Sequence, residues 1–316
     1  MSETNNNVFQ DDGLKIYDFY NDFVFKWIFG QQANARFTIC LLNALLDLRG
    51  ESIIQKVTIM NPFNDRQVHN DKLSIVDVKV QDGAGHLYIV ELQVLPDEYF
   101  IKRSLFYLTR LYGHQLKKGQ SYGMLQPATA ISLLGFDLFQ ESRRVQEIFS
   151  FRNQDNSVAL VDTIQLHYID LTKFHERQPL APRSRFEKWL HVLKFGEIYG
   201  KITAELEDGL KSEEGITDMV NELKKINADA EKRELMEARE KSRTYLISQK
   251  ESSFRAGKRE GRAEGKAEGK VEGKVESKFE IAGNFYKLGR PLEEICTATG
   301  LGLDELKKYL ATVNRP

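Results

Sequence analysis

The sequence predicts an α/β protein with a mixed central sheet flanked by helices, followed by an α-helical C-terminal region. Strand and helix periodicities alternate between residues 15 and 180, whereas residues 184–250 are rich in Glu, Lys, Ala and Leu and contain few β-branched runs. The chain has 316 residues, of which 41% are hydrophobic. That is enough to bury a full core in one or two domains.

The periodicity predicts the elements of the core in chain order. They are helices over 18–29 and 34–48, strands over 53–60, 73–81 and 86–95, a helix over 98–118, and strands over 128–135 and 161–170. The helix over 98–118 is amphipathic, with an apolar face made of Ile101, Leu105, Leu108, Tyr112 and Leu116.

Shifts in composition predict five regions. They are a flexible N-terminal tail over 1–14, the α/β domain over 15–180, a helical region over 181–250, a Gly-Glu-Lys repeat over 251–278 and a small helix-turn-helix-like segment over 279–313. In the repeat, glycine recurs every four residues from Gly257 to Gly273. Because glycine destabilises an isolated helix, this stretch is either a solvated linker or frayed helix, or a helix that associates closely through its glycines.

The charge and the apolar pattern exclude several classes of function. Lys and Arg number 45 and Asp and Glu 46, so the chain is not a globally basic DNA-coating protein. No run approaches the ~18 apolar residues of a membrane-spanning helix, and the first residues lack the pattern of a signal peptide. Cys40 and Cys296 give neither a disulfide framework nor a zinc spacing. We therefore expect a soluble, cytoplasmic protein.

Two acidic residues interrupt the two central strands of the predicted hairpin. Asp77 lies in LSIVDVKVQ and Glu91 in LYIVELQVL, and both strands are otherwise largely apolar. If Asp77 lies opposite Glu91, residues 82 and 86 close the hairpin around Gly83-Ala84-Gly85, which is a favoured loop length. Both carboxylates then share one face of the sheet, with Gln93 two residues further along that face.

Carboxylates that face each other on buried strands repel and lose hydration, which destabilises the fold. A divalent cation such as Mg²⁺ removes both problems, and it can activate a water against a phosphate. The alternative is that Asp77 pairs with Lys79 or with another base at a sheet end, without chemistry. The pattern alone leaves both interpretations open.

The spacing of Asp77, Glu91 and Gln93 resembles the D…(D/E)-x-K signature of the PD-(D/E)XK nuclease superfamily, with glutamine in the usual place of lysine. Other segments resemble the Rpn family of recombination-promoting nucleases, also described as transposases, and the resemblance covers about residues 15–313. These segments are NDFVFK at 21–26 with Phe29 and Gly30, then Arg103, Tyr107, Gln115, Gly119 and Tyr122, LLGF at 133–136, LHYIDLTKF at 166–174, Trp189, the EGK repeats and the ending TGLGLDELKKYL.

This resemblance implies a restriction-endonuclease-like core and metal-dependent cleavage of DNA phosphodiesters. Asp77 and Glu91 would be the catalytic metal ligands, with Mg²⁺ as the cofactor. Gln93 would orient the attacking water or contact the scissile phosphate, but it cannot supply the positive charge of a lysine. Asp22 is the candidate for an additional acid from the first helix, and the alternative is an i,i+4 ion pair with Lys26.

Further residues of the predicted helix could support the site. Arg103, Arg110, His114 and Lys117 form a basic stripe that either contacts phosphates or is simply solvated. Arg103 is the best functional candidate, because it belongs to the resemblance. Gln115 belongs to it as well, and this side chain either hydrogen-bonds near the site or lies on the helix surface.

The C-terminal segment is expected to have a structural or oligomerising role, with a small core closed by Leu292, Ile295, Leu303 and Leu306. Two functions follow as hypotheses. The first is a DNA endonuclease that acts in recombination or mobile-element processing, with a C-terminal region that regulates, tethers or oligomerises it. The second is a catalytically inactive nuclease-fold protein that acts by DNA binding or self-association. Cleavage of RNA is a weaker third hypothesis, because a metal contacts only the phosphate.

Overall fold

The computed structural model describes residues 15–60, 78–160, 163–174, 184–201 and 203–313. The strands are β1 (Val57–Ile59), β2 (Val78–Asp82), β3 (Leu87–Gln93), β4 (Ala128–Leu134), β5 (Gln146–Ser150) and β6 (Ile164–Asp170). The helices are α1 (Asp22–Phe29), α2 (Ala35–Leu45), α3 (Phe100–Gly113), α4 (Arg185–Lys194), α5 (Gly196–Tyr199), α6 (Asp208–Lys211), α7 (Ile216–Ala228), α8 (Ala230–Lys287), α9 (Leu292–Thr299) and α10 (Leu303–Val313). Residues up to Lys241 form one compact unit, and residues from Ser242 onwards form a second.

The first unit contains a six-stranded mixed sheet in the order β1-β2-β3-β4-β6-β5. Strands β1, β2 and β3 are antiparallel, β3, β4 and β6 are parallel, and β5 adds an antiparallel edge. The short loop between β2 and β3 permits only antiparallel pairing, whereas α3 provides the crossover that parallel β3 and β4 require. The predicted mixed sheet with flanking helices is therefore confirmed.

The two faces of the sheet bury different cores. The larger core contains residues of α1, α2, α4 and α7 together with Val78, Val80, Tyr88 and Val90 of the hairpin. On the opposite face, α3 packs against β3, β4 and β6 in a smaller core that includes Leu87 and Ile89. Strand β3 is thus covered on both sides, as its nearly continuous apolar sequence indicates.

Helix α3 differs from its prediction in both length and orientation. It ends at Gly113, so His114, Gln115 and Lys117 follow the helix and do not extend its basic stripe. Its buried face contains Phe100, Ser104, Leu108 and Leu111, whereas Ile101 and Leu105 are exposed. The predicted face is confirmed at Leu108 and wrong at Ile101 and Leu105. The polar Ser104 lies inside instead, where its hydroxyl is 2.6 Å from the Tyr168 hydroxyl.

The sequence did not predict β5, which lies along the chain between the last two predicted strands and at the edge of the sheet. This edge strand pairs with β6, but its residues Ile148, Phe149 and Ser150 are exposed. A strand without a buried face has no alternating pattern, so periodicity could not reveal it. The first part of the predicted 73–81 strand lies outside the described residues.

The second unit has its own small core. Ala282, Ile295, Leu301, Leu306 and Leu310 are buried there, so the expectation for Ile295 and Leu306 is confirmed. Leu292 packs at the edge of this core, and Leu303 is exposed, which contradicts its predicted place. Leu303 is the first residue of α10 and faces away, and Leu301 in the preceding turn takes its place.

Residues 251–278 lie within α8, and every one of them is exposed. A side chain added at any of the five repeat glycines, Gly257 to Gly273, would meet no atom within 4 Å. This stretch therefore has no packing partner within the described residues of the chain. None of the helices in the described ranges is long and apolar enough to cross a membrane.

Candidate active site

The hairpin of β2 and β3 closes as the turn chemistry predicts. The Asp82 amide donates to the His86 carbonyl at 3.0 Å, and Gly85 has a φ of 96°, in the region that glycine favours. The Asp82 carboxylate accepts hydrogen bonds from the Ala84 and His86 amides, both at 2.9 Å. These contacts fix the register in which Val78 lies opposite Val90. Asp77 lies outside the described residues.

Glu91 is a buried acid in a central strand. It follows Leu87 and Ile89 on the face of β3 that α3 covers, and it is 8% exposed. Its neighbour in the parallel ladder with β4 is Ser132, which is also buried. Burial of a carboxylate is unfavourable unless a charge or hydrogen-bond donors compensate it, so its partners decide whether it is tolerated.

Arg103 of α3 provides that compensation. Its Nη2 donates to Glu91 Oε1 at 3.0 Å and to Gln93 Oε1 at 2.7 Å, and its Nη1 donates to Asp97 Oδ2 at 2.5 Å. The guanidinium carbon also lies 5.1 Å from the centre of the Phe100 ring. The guanidinium of Arg103 therefore links Glu91 and Gln93 of β3 to Asp97, which precedes α3.

Gln93 is held at both ends of its amide. Its oxygen accepts from Arg103, and its nitrogen donates to the Leu95 carbonyl at 2.8 Å. These two bonds fix which end of the amide faces Arg103 and Glu91. Gln93 thus presents a fixed dipole beside Glu91 where the superfamily signature has a lysine.

Tyr168 of β6 lies on the same side of the sheet as Glu91. Burial raises the pKa of Tyr168 above its ordinary value, the hydrogen bond with Ser104 lowers it, and the negative charge of Glu91 raises it further. The phenol is therefore neutral at physiological pH. It adds a polar but uncharged group to this part of the site.

The other sequence-predicted candidates make contacts outside this cluster. Asp22, in the first turn of α1, is half exposed and its Oδ2 is 2.5 Å from Arg239 Nη1 of α8, a partner that sequence spacing did not suggest. Gln115 exchanges two hydrogen bonds of 2.8 Å with the backbone of Gln126, just before β4 begins. Ala128, the first residue of β4, is opposite Leu87, which is four residues or about 13 Å along β3 from Glu91. These bonds tie the segment after α3 to the sheet.

Asp97 joins this cluster of side chains, although its place in the sequence does not predict it. It binds Arg103 and also accepts a hydrogen bond from the Tyr99 amide at 3.0 Å. Because Asp97 precedes α3, its spacing of six residues from Arg103 matches no helical pair, and the contact depends on how the chain turns after β3.

Within the described ranges, no group of three or more His, Cys, Asp and Glu side chains is placed to hold a metal ion. The donor types nevertheless fit a hard cation, because Glu91 offers a carboxylate and Gln93 an amide oxygen on one face of the sheet. Oxygens of both side chains accept hydrogen bonds from Arg103 Nη2. The guanidinium of Arg103 thus marks a place that requires positive charge.

A mixed sheet with helices on both faces and an acidic residue in a central strand is the arrangement of a restriction-endonuclease-like α/β protein. Comparison with known families agrees. Residues 19–252 match the family described as PD-(D/E)XK nuclease family transposase. The chain therefore belongs to this family, and its predicted nuclease-type fold is confirmed. No curated protein and no solved structure gives a significant match to the chain.

Proposed function

We propose that this protein is a Mg²⁺-dependent endonuclease that hydrolyses DNA phosphodiester bonds during recombination or the movement of mobile DNA. The observation that carries this proposal is the position of Glu91. An apolar residue would stabilise the centre of β3 better, yet the chain places a carboxylate there and surrounds it with an arginine and a glutamine. Membership of a nuclease family supports a catalytic role for that carboxylate.

Asp77 is proposed as the second metal ligand. The described pairs of the hairpin run from Gln81 with Leu87 to Val78 with Val90. Continued by one residue, this register would pair Asp77 with Glu91. Two carboxylates suit Mg²⁺, which keeps several waters in its shell. When bound, Mg²⁺ supplies an activated water and neutralises charge on the phosphate. Asp22 remains a candidate for an additional acid.

Gln93 and Arg103 together would do what a lysine does in the superfamily signature. Gln93 has no charge, but its fixed amide can orient a water or a phosphate oxygen. Arg103 carries the missing positive charge and contacts both Glu91 and Gln93. We propose that Arg103 positions these two side chains and offers its guanidinium to the scissile phosphate.

The alternative function is a nuclease-fold protein without cleavage that acts by DNA binding or self-association. The exposed, glycine-rich part of α8 supports self-association, because a helix with glycine at every fourth residue is unstable when it stands alone in water. Under this alternative, Arg103 would replace the metal permanently as the counter-charge of Glu91.

A cleavage assay with matched DNA and RNA oligonucleotides of the same sequence tests the proposal. In Mg²⁺ the full chain should cleave DNA, leave RNA intact and lose its activity in EDTA. Faster cleavage of RNA would assign the enzyme to a different substrate. Binding of DNA without cleavage of DNA or RNA, in Mg²⁺ and in Mn²⁺, would favour the alternative function as a protein that binds DNA without cutting it.

A further inference from the structure

The outward face of α3 is unusually apolar for a surface helix. Phe106 is 57% exposed, Ile101 and Leu105 are exposed beside it, and Tyr99, which precedes the helix, is 59% exposed. The opposite face of α3 is buried against β3, β4 and β6. An exposed aromatic patch on a helix whose other side supports the candidate active site indicates a binding surface.

Basic residues alternate with these aromatic residues. Lys102 and Arg110 are exposed on the same face, each four residues from Phe106, and the Lys102 amine lies 5.8 Å from the centre of the Tyr99 ring. We call Tyr99, Lys102, Phe106 and Arg110 the α3 stripe. At 1.5 Å per residue, it is about 16 Å long.

The segment that contains the α3 stripe carries an excess of positive charge. From Tyr99 to Phe136 the sequence contains no Asp or Glu but five Lys and Arg residues, although acids and bases nearly balance over the whole chain. The nearest preceding acids are Asp97, whose carboxylate binds Arg103, and the exposed Glu98. The α3 stripe is therefore complementary to a polyanion.

The chemistry of the stripe favours unpaired nucleotides over an intact duplex. In a duplex the faces of the bases are stacked on one another, so an exposed Phe or Tyr on a helix could reach only the backbone or the groove edges. An unpaired base offers its face to an aromatic ring, while lysine and arginine on either side hold the phosphates. Phe106 between Lys102 and Arg110 has this arrangement.

We infer that the α3 stripe binds unpaired nucleotides of the strand whose phosphate is contacted by Arg103 beside Glu91. The inference rests on the proposed function, because it assigns the substrate class of that site: DNA that is single-stranded or locally opened beside the cleaved bond. Lys102 and Arg103 are adjacent in the helix, so a strand that leaves the site meets the stripe directly.

Binding of single-stranded DNA by the full chain tests this inference without cleavage. A fluorescein-labelled oligothymidylate of about 12 nucleotides and the matched duplex would be titrated in EDTA, with fluorescence anisotropy as the readout. Phe106→Ala should weaken single-strand binding about tenfold and change duplex binding little. Phe106→Trp should retain binding, and its exposed indole should be quenched by the oligonucleotide.

Phe151→Ala is the matched control, because Phe151 is 54% exposed in the same unit but follows β5 at the far edge of the sheet. It should bind like the wild type. If Phe106→Ala and Phe151→Ala bind single-stranded DNA with equal affinity, the inference is overturned. It is also overturned if Phe106→Ala weakens binding to the duplex as much as binding to the single strand. Dissociation of a wild-type dimer by Phe106→Ala, seen by sedimentation, would show that a second copy covers this face. Because no cleavage is measured, a chain that binds DNA without cutting it would still give the expected difference between the two variants.

Discussion

Replacement of Glu91 by glutamine is expected to lower the rate of DNA cleavage in Mg²⁺ by on the order of a hundredfold or more. The substitution removes a charged metal ligand but keeps the shape of the side chain. The amide oxygen of the new side chain can still accept a hydrogen bond from Arg103 Nη2, and Arg103 keeps its ion pair with Asp97. The variant should therefore fold and still bind DNA. Single-turnover cleavage of a labelled duplex measures the effect.

Glu147→Gln is the matched control for this variant. Glu147 belongs to the same sheet but lies on the edge strand β5, where it accepts a hydrogen bond from Ser142. Its substitution should leave cleavage unchanged. Glu91→Gln with wild-type activity, or a loss that Glu147→Gln shares, would exclude Glu91 as a metal ligand.

Replacement of Arg103 by alanine is expected to lower the free energy of unfolding by about 2 kcal/mol in EDTA. Removal of one partner of a fully buried ion pair costs about 3–5 kcal/mol. The effect should be smaller here because the Arg103 side chain is 30% exposed and solvent screens part of the interaction. The loss arises because the buried Glu91 carboxylate loses the positive charge that Arg103 supplies. Urea denaturation monitored by circular dichroism measures it.

The response to metal separates the role of Arg103 in the site from a role in packing. Mg²⁺ should restore part of the stability of Arg103→Ala, since a cation bound at Glu91 supplies the lost positive charge. Arg110→Ala, on the exposed face of the same helix, should change stability by less than about 0.5 kcal/mol. Equal stabilities of the two variants would show that Arg103 does not compensate Glu91.

The parts of the fold that the sequence predicts well are those fixed by local chemistry. The Gly83-Ala84-Gly85 loop determines the register of the hairpin, because loop length and glycine position leave few alternatives. Strands β3 and β4 are evident because both of their faces are apolar. Edge strand β5 is not, since its register depends on β6 and its own side chains are largely exposed.

The candidate site was only partly predictable for the same reason. Glu91 and Gln93 stand out because a polar residue is unexpected in a strand covered on both sides. The contact of Arg103 with them requires the orientation of α3, which is set by Ser104 with Tyr168 and by Phe100, and not by the apolar residues Ile101 and Leu105. Asp97 gave no signal, because its contact depends on the turn between β3 and α3.

If the hairpin acids form a metal-dependent nuclease site, the protein should nick supercoiled plasmid DNA only with a divalent cation and an intact Asp77. Purified wild type and Asp77→Ala would be incubated with supercoiled plasmid in Mg²⁺, Mn²⁺, Ca²⁺ or EDTA. We expect nicking by the wild type in Mg²⁺ or Mn²⁺, none in EDTA, and none by Asp77→Ala under any condition. Equal nicking by the folded variant and the wild type would contradict the claim and place any activity elsewhere.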